Sequence, residues 1–176
     1  MIRTQIIAGT VCLLSLFAAG AAHAEESPTA GHASVAGLLG YGFKDGLNLG
    51  LGVRGGYTLP MNVYVGGTFV YHLGNSPGGT DVNVYYFGAE GGYDIPAGPV
   101  VVRPYLGLGA ATAKATADLS ALGLGKVSNS DTKFALWPGA TVLYPIGSAF
   151  VGGDARFLIV DQFNAFSIFA TGGMQF

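Results

Sequence analysis

The stretch LNLGLGVRGGYTLP, residues 47–60, alternates from its first letter: Leu47, Leu49, Leu51, Val53 and Tyr57 share one face of a strand, while Asn48, Gly50, Gly52, Arg54 and Gly56 share the other. Successive side chains of a strand point to opposite faces, and this period of two recurs through most of the chain. In a soluble sheet the leucine face would pack inward and the other would meet water. A face of glycines with one arginine is a poor water-facing surface. Charged residues make up 10% of the chain, against 30 glycines, whereas a soluble surface calls for roughly 25–35% charged residues. No apolar run after residue 24 is long enough for a membrane helix. If such a chain enters a bilayer it must do so as a closed barrel, in which every backbone group finds a partner on a neighbouring strand.

Arg3 precedes an apolar run, IIAGTVCLLSLFAAGAA, from Ile6 to Ala22, which ends at Ala22-His23-Ala24. A positive start, an apolar middle and a small-x-small end predict a secretory signal, residues 1–24, cleaved after Ala24. A retained anchor is the alternative, since the run approaches spanning length. Cys12, the only cysteine, lies inside it, so the mature chain is expected to carry no thiol, disulfide or cysteine-based metal site. Residues 25–33 read as a short polar lead-in on the periplasmic side, and residues 34–176 as one domain. The net charge is −2 with no basic run, which argues against nucleic acid as a partner.

Turn chemistry divides the domain into eight alternating segments, at about 34–43, 47–58, 63–73, 83–95, 100–112, 132–144, 148–160 and 164–176. Lengths near ten residues suit tilted transmembrane strands. Tight turns such as Leu59-Pro60-Met61-Asn62, Pro96-Ala97-Gly98-Pro99 and Pro145-Ile146-Gly147 alternate with generally longer connections, the longest being roughly residues 113–131. Alternation from Thr112 to Leu119 also fits strands that protrude beyond the bilayer. Short turns on one side and longer loops on the other are expected of bacterial outer-membrane barrels. Tyr57, Tyr93 and Tyr144 each stand just ahead of a proline turn and Phe176 ends the chain, which predicts an aromatic girdle at one membrane level.

Followed by parity, one face carries residues such as Leu39, Tyr41, Phe69, Phe87, Leu106, Phe134, Val151, Phe166 and Ile168, with no acidic or basic side chain in a strand core. The other collects Arg54, His72, Glu90, Asp94, Arg103, Lys133, Asp154 and Arg156 among glycines, alanines and threonines. An arginine on the lipid face at the bilayer midplane costs about 2–4 kcal/mol. The charges are therefore expected to point inward, and Leu47 to Tyr57 to meet lipid. Arg54, Glu90, Asp154 and Arg156 fall near mid-strand, while Asp94 and Arg103 flank one proline turn. Three acids and three arginines then neutralise one another as a structural lumen cluster. An eight-stranded interior is just wide enough for side chains to fill, so glycines are expected opposite the bulky lumen groups. Pro104 and Pro138 interrupt strands that have no edge; Pro104 is placed near a strand start and Trp137-Pro138-Gly139 at a bulge.

Arg103-Pro104-Tyr105-Leu106-Gly107-Leu108-Gly109-Ala110, Gly153-Asp154-Ala155-Arg156-Phe157 and a terminal phenylalanine, set in eight alternating segments, resemble the small outer-membrane β-barrel family that includes the OmpA membrane domain, the OmpX/Ail group and the opacity-type barrels. The resemblance implies an all-β, eight-stranded antiparallel up-and-down transmembrane barrel in the Gram-negative outer membrane. The final strand, FSIFATGGMQF, is similar to the family's insertion signal, with Met174 where an aromatic residue is common, and implies the barrel-assembly machinery as a partner. Outer-membrane lipid is the other expected partner, and a monomer the expected state. The leading functional reading is a non-enzymatic structural or surface-presenting barrel. A narrow, porin-like pore for ions or small solutes is the alternative. A lipid A-modifying enzyme is a third reading, resting on His72 near Ser76 with Glu90 on the next strand, but no Gly-x-Ser-x-Gly context is present. Catalytic, cofactor-binding and metal sites are all expected to be absent. The close-spaced glycines from Gly50 to Gly56 lie within a strand rather than ahead of a helix, so they cradle no phosphate.

Overall fold

Strands that are apolar on one face and small or polar on the other can satisfy both faces and both edges by curling into a cylinder, and the chain does so. The computed structural model describes residues 27–44, 47–74, 80–118, 126–161 and 163–176. It contains β1 (Ala33–Lys44), β2 (Leu47–Thr58), β3 (Val63–His72), β4 (Thr80–Tyr93), β5 (Ile95–Ala97), β6 (Val100–Asp118), β7 (Lys126–Ile146), β8 (Ala149–Val160) and β9 (Phe163–Gln175). Each pairs antiparallel with its sequence neighbour or, at the seam, β1 with β9. β5 continues β4 past Asp94, and both pair with β6. The wall is thus a closed eight-stranded up-and-down barrel. The signal peptide expected over residues 1–24 lies outside the described residues.

The apolar residues turned outward are large and contiguous: Leu39, Leu51, Val53, Phe69, Phe87, Leu108, Phe134, Val151 and Ile168 all lie on the outer surface. An exposed apolar mantle of this kind is what a hydrocarbon-facing barrel presents. Leu47 departs from the expected lipid face and is completely buried, packed with Val84 and Ala165. The cause is a register shift in the β1–β2 ladder between Tyr41 and Lys44, which turns the residue beyond it to the opposite side.

Two other expectations change. The connection placed at residues 113–131 is mostly strand, as the alternation from Thr112 onward allows, because β6 and β7 pair without interruption from Val101↔Leu143 to Asp118↔Lys126. The hairpin therefore stands well beyond β8, whose ladder with β7 ends at Ala135↔Val160. Trp137-Pro138-Gly139 is also not a bulge: pairing with β8 skips Trp137 and Pro138 and resumes at Gly139↔Arg156 in the same register. Pro104 falls opposite the β4/β5 break, between Gly92↔Tyr105 and Ile95↔Val102, where the donor it lacks is not required.

Interior glycines make room for rings. A Cβ on Gly107 would collide with the indole of Trp137, and one on Gly56 or Gly66 with the ring of Tyr64. Crowding does not account for outward-facing Gly91, whose Cβ would have nothing within 4 Å.

Candidate functional site: a two-tier charged lumen

β2, β4, β7 and β8 each send polar side chains inward at mid-height. Arg54 of β2 donates from Nη2 to Asp154 Oδ2 at 2.9 Å and from Nη1 to Thr141 Oγ1 at 2.9 Å, and its Nε stands 2.7 Å from Glu90 Oε2. Arg156 donates from Nε to Asp154 Oδ1 at 2.7 Å, and its Nη1 lies 3.8 Å from Glu90 Oε1. Trp137 Nε1 donates to Glu90 Oε1 at 2.9 Å, while Tyr105 OH and Thr141 Oγ1 donate to Asp154 Oδ2 at 2.9 and 2.6 Å. Two arginines face two carboxylates, all buried, so the layer carries no net charge. Arg54 also lies over the ring of Tyr105, at 4.6 Å. A low-dielectric interior makes these contacts strong and makes any unmatched member costly.

The second tier sits toward the tight-turn end. Asp94 accepts from Arg103 Nη2 at 2.7 Å and from Thr58 Oγ1 at 3.4 Å, and Arg103 lies over the ring of Tyr64 at 3.9 Å. Thr29 Oγ1 also donates to Asp94. The six lumen charges chosen from the sequence, Arg54, Glu90, Asp94, Arg103, Asp154 and Arg156, are therefore all inside, in a layer of four and a pair. Parity alone could have added Thr58, which lies on the face of Arg54, and Thr141, which lies on the face of Trp137.

Above the central layer the lumen is filled by Tyr86, Trp137, Phe169, Leu158 and Leu38. His72 is buried against Tyr86 and Phe169, with ring centroids 6.0 and 5.8 Å away. It pairs across the ladder with Val84, whereas Glu90 pairs with Gly66. Six residues of strand separate the two positions by about 20 Å, so His72 and Glu90 form no acid–base pair; Ser76 lies outside the described residues. Lys133 reaches only the loop-side rim, where it meets Asp131 at 3.7 Å and Asp161 at 3.5 Å. Tyr57, Tyr144 and Phe176 are exposed on the outer surface, and Tyr93 is half-buried. Among the described residues, no group of three or more His, Cys, Asp or Glu is placed to hold a metal ion.

The profile of the family described as outer membrane protein beta-barrel domain matches residues 9–168. The chain belongs to this family. Its fold is similar to that of Ail, the attachment invasion locus protein of Yersinia pestis, with 18% identity, a TM-score of 0.57, and coverage of 82% of this chain and 97% of that one. The N-terminal β-barrel domain of Pseudomonas aeruginosa OprF matches with 15% identity and a TM-score of 0.55, over 82% and 97% of the two chains. Neisserial surface protein A matches with 21% identity and a TM-score of 0.51, over 82% and 93%. No curated protein sequence matches. Family membership places the barrel in the bacterial outer membrane, and the apolar mantle is then its lipid-facing surface.

Proposed function

We propose that the protein is a non-enzymatic outer-membrane barrel with a solid lumen, serving as a structural and surface-presenting element. The observation that carries this reading is the neutral, buried layer Arg54–Glu90–Asp154–Arg156, which ties β2, β4 and β8 together across the interior. A charge-balanced plug of this kind offers no fixed field to select an ion, and eight strands leave little width beside it. The surface presented to the outside is the β6–β7 hairpin, on the side opposite the tight turns. Its partners are outer-membrane lipid around the mantle and the barrel-assembly machinery at FSIFATGGMQF, with Tyr57, Tyr93, Tyr144 and Phe176 as the girdle at the turn-side interface. The chain acts as a monomer and does not engage nucleic acid.

Refolded protein in a planar bilayer is expected to stay at baseline conductance; discrete conductance steps would overturn the closed-lumen reading in favour of a pore. Lipid A from overexpressing cells is expected to be unchanged, since the separation of His72 from Glu90 leaves no assembled acid–base pair.

A further inference from the structure

Within the segment 25–33, expected to be a polar lead-in, Ser27, Thr29 and Ala30 are buried. Residues 27–32 cross the turn-side mouth. Ser27 N donates to Asn62 Oδ1 at 3.0 Å, Gly31 N donates to Thr58 O at 2.8 Å, and Thr58 N donates to His32 O at 3.0 Å. Ser27 and Thr29 join their hydroxyls at 2.8 Å, and Thr29 reaches Asp94. The receiving side is built for it. Asn62 is buried and holds a left-handed backbone, φ 65°, from which its carbonyl accepts from Asp94 N at 2.8 Å while its side chain takes Ser27. Such a conformation is uncommon outside glycine and is tolerated best by asparagine. Asp94 in turn lies where β4 breaks, which turns its carboxylate toward both Arg103 and Thr29.

We propose that residues 27–32 are a strap forming a second seal, which closes the periplasmic mouth independently of the mid-lumen layer and is latched on Asp94 and Asn62. The strap is held by hydrogen bonds and not by a large apolar anchor, so it is the part of the closure that is able to release while the wall stays intact.

The test uses full-length mature protein in nanodiscs, with a cysteine introduced by Thr58→Cys as the only thiol, since Cys12 is the chain's single cysteine and lies in the signal. Thr58 is 1% exposed. Deleting residues 25–31 is expected to speed its reaction with a charged thiol reagent at least about tenfold, the population change produced by losing one buried hydrogen bond. Should the deletion fail to give the heat-modifiable folded band, Thr29→Val decides the matter, with a faster reaction than the parent supporting the strap. A cysteine at Lys133→Cys, on the opposite rim, is expected to react equally with and without the strap. Unchanged labelling of the Thr58→Cys thiol in every folded variant would overturn the proposal, whatever the conductance of the barrel.

Discussion

Replacing Arg54 with methionine keeps much of the stem and removes the charge, so it isolates what the guanidinium contributes to the central layer. The wild-type layer has Arg54 2.7 Å from Glu90 and 2.9 Å from Asp154, with Arg156 2.7 Å from Asp154 and 3.8 Å from Glu90. Without Arg54, Arg156 keeps its short contact with Asp154, and Glu90 is left with its long one. Leaving one member of a buried ionic group unmatched costs about 3–5 kcal/mol. Glu90→Gln alone leaves both arginines facing the single carboxylate of Asp154, one unit of unmatched positive charge, while retaining an acceptor for Trp137, at a similar cost of about 3–5 kcal/mol. The double variant restores neutrality, and should be less destabilised than additivity predicts by a coupling of about 0.5–3 kcal/mol. Trp137 is the only tryptophan and is fully buried against Glu90, so its fluorescence reports this layer during reversible urea unfolding from lipid vesicles. An Arg54→Met variant within about 1 kcal/mol of wild type, or a coupling indistinguishable from zero, would refute the electrostatic account of the lumen.

Other consequences are equally concrete. Gly107→Ala should force Trp137 off Glu90, shifting its emission and costing about 1–3 kcal/mol by overpacking, whereas Gly91→Ala, with open space around it, should change stability by less than about 0.5 kcal/mol; equal effects in the same unfolding assay would contradict the packing assignment. Leu51→Arg, on the lipid face, should lose about 2–4 kcal/mol if the residue lies at bilayer mid-depth, while Leu47→Asn is read by a different environment, the interior beside Val84, and should likewise destabilise, by about 1–3 kcal/mol; a tolerated Leu47→Asn would show that this side chain meets water at the loop-side rim and is not packed inside. Phe176→Ala should slow insertion into vesicles that contain the barrel-assembly machinery more than into plain vesicles, as followed by heat-modifiability. Equal slowing in both would place its role in the barrel seam and not in recognition.

Much of this architecture was legible because a strand's parity is a strict rule: once Leu49 is assigned outward, Arg54 must face inward, and the same reasoning placed Glu90, Asp154 and Arg156. Parity fails where the ladder slips, and Leu47 is the case in point. A register shift is a property of two strands together, so residues 47–60 read alone do not reveal it. The grouping of the six charges into a layer of four and a pair was hinted at by their heights within each segment. Which acid meets which arginine is set by strand stagger around the barrel, which no single segment encodes. A proline within a strand points to a bulge, but at Pro138 the wall accommodates it by omitting pairs with β8 while keeping register. The strap was invisible for a different reason. Ser27 and Thr29 have no periodic pattern, and their burial depends on Asn62 and Asp94, which lie far away along the chain.

At the seam, Ala33 and Phe176 exchange both backbone hydrogen bonds, at 3.2 and 2.9 Å. The wall is therefore a ring with no privileged starting point. A circular permutant that links the native termini and opens at the β8–β9 connection would preserve every ladder. Two features would register the change: the strap, drawn into the new connection, and FSIFATGGMQF, which would no longer be the final strand.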